Sequence, residues 1–142
     1  MNPTIEKFGY PATLLHEGEH WVILLRPAQP TLGSLVLAAK SDATEFSKLP
    51  LAAFAELAGL TRTIEAALRA FVQYERINYL MLMMVDPHVH FHVIPRYQGS
   101  REWQGLEFPD AGWPKLPELG QAVALQPQQI ASLVNALRPL VA

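Results

Sequence analysis

The 142-residue chain contains no cysteine. That removes disulfide bonds, thiolate zinc sites and cysteine nucleophiles together, and leaves the redox compartment unrecorded. Long apolar runs are missing as well: "INYLMLMMV" stops at Asp86-Pro87, well short of the roughly 20 residues needed to span a bilayer. The first residues, "MNPTIEKFGYPATLL", carry neither the basic leader nor the apolar stretch of a signal peptide. A cytoplasmic setting without a membrane partner is expected. Charge of one sign is also scarce, since 11 Lys and Arg stand against 13 Asp and Glu with no basic run. A broad positive face for nucleic acid is therefore not expected, although a few local groups could hold a small anion.

What is present is apolar: half of the residues are hydrophobic, enough for one folded domain over 1–142. "TLLHEGEHWVILL" reads as two strands, 13–16 and 20–25, joined through Glu17-Gly18-Glu19. After the proline-punctuated "RPAQPT" and Gly33, "SLVLAA" reads as a third strand. From Thr44 to about Gln73 the apolar residues change to a helical period, with Ser47 and Pro50 suited to its start. "NYLMLMMV" and "HVHFHVIPRY" read as a strand pair across Asp86-Pro87. Residues 98–126, rich in glycine, proline and tryptophan, read as an ordered tail loop, and Pro127 opens a last helix. Five strands and two helices in this order predict an antiparallel α+β fold.

"HVHFHV", residues 88 to 93, places three of only five histidines at alternate positions. In a strand, His88, His90 and His92 share one face, while Val89, Phe91 and Val93 share the other and suit packing beneath a helix. A turn at Asp86-Pro87 would set Met83 across from His90 and Met81 across from His92; a slip of one would bring Leu80, Leu82 and Met84 there instead. Either register surrounds the histidines with apolar side chains, which disfavour the imidazolium and keep a nitrogen lone pair free. Three readings are open: structural histidines, a metal site, and nucleophilic attack on phosphorus. Outer α-carbons about 13 Å apart on one straight strand converge poorly on one ion, and His16 and His20 are not placed to help. Nucleophilic catalysis uses all three residues, one attacking and its neighbours holding oxygens or protons.

"HVHFHVI", His88 to Ile94, resembles the histidine-φ-histidine-φ-histidine-φ-φ signature (φ apolar) of the histidine triad, or HIT, superfamily at every position. The likeness extends over residues 13 to 98, through "IPRY", the preceding strand and helix, and "LGSLVLAAK". It implies a five-stranded antiparallel sheet with two helices, a homodimer, and hydrolysis or transfer at a nucleotide α-phosphate without metal or other cofactor. By that resemblance His90 is the nucleophile that forms a nucleotidyl-histidine. His92 contacts the scissile phosphate or leaving group, and His88 orients the site.

Departures from the family pattern fall around this row. Many relatives carry a fourth histidine where Ser34 stands, and an acidic or amide residue gripping the ribose where Arg26 stands, which cannot accept the hydroxyl hydrogen bonds. The loop before the triad is shortened to Val85-Asp86-Pro87. Ser34, Arg26 and Arg96, the last sharing the histidine face by parity, are the candidate phosphate-binding residues. Trp103 and Trp113 suit either base stacking or anchoring of the tail. The expected activity is release of a nucleoside monophosphate from phosphoramidates or dinucleoside polyphosphates, the alternative being a nucleotide-binding module without turnover.

Overall fold

The computed structural model describes residues 1–142. In chain order its elements are α1 (Pro3–Lys7), β1 (Leu14–Glu17), β2 (Trp21–Leu25), β3 (Ala28–Gln29), β4 (Leu35–Ala39), α2 (Leu51–Val72), β5 (Arg76–Leu80), β6 (His90–Arg96), β7 (Ser100–Trp103), β8 (Leu106–Pro109), β9 (Val123–Ala124) and α3 (Pro127–Leu137). Five strands make one sheet in the order β1-β2-β4-β6-β5, with every neighbouring pair antiparallel. This is the α+β architecture expected, with its long helix and its C-terminal helix. No helix is long and apolar enough to cross a membrane.

Both faces of the sheet are covered, which explains why "WVILL" and "LVLAA" are buried at every position rather than alternating. On one face Trp21, Ile23, Leu25, Leu35, Leu37 and Val93 pack with Leu60, Ile64 and Leu68 of α2 and with Leu133, Val134 and Leu137 of α3. The Trp21 indole Nε1 donates to the Ala53 carbonyl at 2.8 Å, so the largest core side chain is satisfied. On the other face Val22, Leu24, Val36 and Ala38 pack with Ile5 of α1, and Phe8, Tyr10 and Leu14 border them.

Local chemistry moves several boundaries. Helix α2 begins at Leu51 rather than Thr44, because Pro50 takes the extended cap position and only a single 3-10 turn, Phe46–Lys48, precedes it. It ends at Gln73 in the left-handed conformation, and Arg101 donates to the free carbonyls of Val72 and Gln73. The strand expected over 78–85 ends at Leu80, and Leu80 pairs with His92. That is the slipped register; Met83, with φ of 50°, belongs to the loop that follows. Within the tail expected as a loop, β7 and β8 form a hairpin through Gln104-Gly105, both at positive φ, and Trp103 packs on Phe71 of α2.

Candidate active site

Strand β6 sets His90 and His92 on the face opposite α2, level with Ala38 and Val36 of β4. His88 lies just before the strand, but its backbone completes the arrangement. The His88 carbonyl oxygen is 2.6 Å from His90 Nδ1, and a carbonyl only accepts, so Nδ1 carries the proton. In the neutral ring the lone pair is therefore on His90 Nε2. His88 Nδ1 in turn lies 2.7 Å from the hydroxyl of Thr4, which ties the row to α1.

The imidazoles of His90 and His92 meet edge to face at 5.1 Å, and Phe8 packs against both at 5.7 and 5.6 Å. His90 is 2% exposed and His92 7%. Burial, then the Arg26 guanidinium, then His90 push the pKa of His92 down to about 4, against the opposing pull of Asp86. His92 is therefore neutral at physiological pH, and its Nδ1 is buried without a partner. A cavity of about 210 Å³, lined by Leu82, Met83, Met84, Val85, Asp86, His90 and His92, opens beside the row.

The remaining candidates divide. Arg26 extends the β2–β4 ladder, its N–H donating to the Ser34 carbonyl at 3.0 Å. Its side chain follows Val22 and Leu24 on the histidine face. Ser34 is fully buried, and its hydroxyl donates to the Thr31 carbonyl at 2.8 Å. The Arg96 side chain is 4% exposed and bound by Asp110, Nε to Oδ2 at 2.7 Å and Nη2 to Oδ1 at 3.1 Å, while Nη1 donates to Asn78 at 2.8 Å. The structure thus gathers His88, His90, His92 and Arg26, and commits the polar atoms of Ser34 and Arg96 to internal partners. No three or more histidine, aspartate or glutamate side chains are grouped to hold a metal ion.

Sequence reasoning passed over α1 and Phe8, and gave the Asp86 side chain no role beyond its place in the turn. Asn2-Pro3 was the available signal for α1, since Asn2 caps the helix through Ile5 N–H and Pro3 occupies its first turn. Lys7 of α1 then pairs with Asp86 at 2.7 Å, linking the helix to the loop before the triad.

The family model described as the HIT domain matches residues 9–99. A histidine triad protein from Bradyrhizobium japonicum superposes with a TM-score of 0.71 at 18% identity, covering 100% of this chain and 97% of its own. One from Marinobacter aquaeolei gives 0.69 at 23% identity over 96% and 93%. A hypothetical histidine triad nucleotide-binding protein from Sulfolobus tokodaii gives 0.65 at 19% identity over 91% and 83%. No curated protein sequence matches the chain.

Proposed function

Since the chain belongs to the HIT domain family, we propose that it is a nucleotide hydrolase or nucleotidyl transferase in which His90 attacks the α-phosphorus of a nucleoside phosphoramidate or dinucleoside polyphosphate. The observation that carries this reading is the hydrogen bond from His90 Nδ1 to the His88 carbonyl. In the neutral imidazole it puts the lone pair on Nε2, the ring nitrogen that does not bond the strand's own backbone.

In the first step the Nε2 lone pair forms a P–N bond. The bond from phosphorus to the leaving nitrogen or oxygen breaks, and the leaving group keeps that pair and takes a proton from solvent. His90 becomes cationic, and the same His88 carbonyl stabilises the charge by accepting from Nδ1–H. In the second step water attacks phosphorus and releases a proton to solvent, Nε2 departs with the P–N pair, and a nucleoside monophosphate is released. A neutral His92 donates an N–H to a phosphoryl oxygen or the leaving group without competing for the proton. Arg26, on the same face, adds positive charge to the site.

We further infer that the chain works as a homodimer. The outer edge of β5 pairs with no strand, and exposed Leu82, Met84 and Val85 follow it in the chain. Light scattering that gave a monomer at micromolar concentration would refute this part.

The test of function is release of AMP from adenosine phosphoramidate and from diadenosine tetraphosphate, by wild type and His90→Ala, with and without EDTA. Release that requires His90 and survives EDTA is expected. Binding of AMP without turnover of either compound would instead support a nucleotide-binding module, a reading favoured by the near-complete cover of His90.

A further inference from the structure

Arg26 is half buried, yet no carboxylate lies within ion-pairing distance of it. Its Nη1 donates to the Ala28 carbonyl, and its Nε is buried with no partner. The contrast on the same sheet face is Arg96, whose charge Asp110 neutralises through two hydrogen bonds. A guanidinium drawn out of water without a counter-charge is costly, and a bound anion offsets that cost. Burial accordingly lowers the Arg26 pKa from its ordinary value, while the group remains charged near neutrality.

The sheet fixes where Arg26 stands relative to the histidine row. Leu24, Val36 and His92 form one rung across β2, β4 and β6, and Val22, Ala38 and His90 form the rung before it. Arg26 lies one rung beyond His92, on the side away from His90. Strand spacing and rise put its α-carbon about 12 Å from that of His92 and about 16 Å from that of His90. The Arg26 charge acts on His92, and His90 lies a further rung away.

We propose that Arg26 holds a second phosphate of the substrate, beyond His92 from the reacting phosphorus, so that the site prefers nucleotides with two phosphorylated centres. The proposal rests on the nucleotidyl-transfer reading of His90, and it ranks such nucleotides above phosphoramidates of uncharged amines. The second phosphate has two possible sources: the sugar, as in a nucleoside bisphosphate, or the leaving chain, as in a polyphosphate. Arginine suits either, because its planar donors match phosphate oxygens in pairs.

Titration calorimetry on the full chain at fixed ionic strength tests this with AMP, adenosine 2′,5′-bisphosphate, adenosine 3′,5′-bisphosphate and α,β-methylene-ADP, whose bridging bond is not cleaved. At least one doubly phosphorylated ligand should bind roughly tenfold tighter than AMP. Arg26→Gln should erase that advantage, and Arg26→Lys should keep part of it. A gain for a bisphosphate places the second group on the sugar; a gain for α,β-methylene-ADP places it in the leaving chain. Equal affinity of the wild type for all four ligands overturns the proposal, even where Arg26→Gln does not fold. Loss of AMP binding by the same factor as the others in a folded Arg26→Gln protein also overturns it. Failure of the wild type to bind AMP removes the nucleotide reading itself, and this proposal with it.

Discussion

His90 Nδ1 stands 2.6 Å from the carbonyl oxygen of His88, two residues earlier in the same chain. The contact uses backbone of one histidine to set the proton position of another, so the spacing matters as much as the residue type. Replacing His88 by Gln should leave this carbonyl in place and spare much of the rate. His90→Ala should reduce AMP release by roughly four orders of magnitude without unfolding the chain. Circular dichroism beside single-turnover kinetics would check both. A His90→Ala protein retaining a tenth of wild-type activity would sink the nucleophile assignment.

Arg96 and Asp110 are joined by two hydrogen bonds with side chains 4% and 1% exposed. Removing one member strands the other charge in the interior, so Arg96→Met or Asp110→Leu alone should cost about 3–5 kcal/mol. The double variant should cost less than the sum, because neither charge is then left alone. Urea denaturation of the four proteins measures the coupling. Additive losses would show that the two residues do not act as a pair.

The histidine face was readable because a strand has a period of two: His90 and His92 fall opposite Val93, which packs into the α2 core. The core stripe of α2 was readable for the same kind of reason. "LMLMMV", by contrast, offers no alternation, so nothing in it marks Leu80 as the last paired residue. The β7–β8 turn was hidden because a segment rich in glycine, proline and tryptophan suggests a loop, although Gln104-Gly105 is a two-residue hairpin pair. The Arg96–Asp110 pair spans 14 positions and has no local pattern to announce it. Arg26 was visible as a departure from its family, but its unpartnered Nε required three dimensions.

Two glycines should respond oppositely to the same change. Gly33 has a φ of 89°, and a Cβ there would lie 3.1 Å from Leu68 Cδ2. Its N–H also donates to Gln29 at 2.8 Å within the turn that connects Arg26 to Ser34. Gly33→Ala should therefore cost about 1–2 kcal/mol through left-handed backbone and crowding. Gly59 lies inside α2 with nothing within 4 Å of a built Cβ, so Gly59→Ala should stabilise by about 0.5–1 kcal/mol. Thermal melts of both variants decide it, and a shift of the same sign in the two would contradict the argument.

His92 should make stability depend on acid. Its pKa falls from 6.5 to about 4, first through burial and next through Arg26 and His90. Between those values the unfolded chain binds a proton that the folded chain refuses. Folding stability contributed by neutral His92 is thus present above about pH 6.5 and lost as pH falls toward about 4, with no further loss below that. The difference in urea midpoint between pH 7 and pH 4 should be larger for wild type than for His92→Gln. Histidine NMR should place the His92 titration near pH 4, and Phe8→Ala, which uncovers the ring, should move it upward. Arg26→Gln should move it upward too, by removing the nearby positive charge. A His92 signal titrating near 6.5 in the wild type would mean that the ring is hydrated, and that the packing of Phe8 against His90 and His92 does not hold in solution.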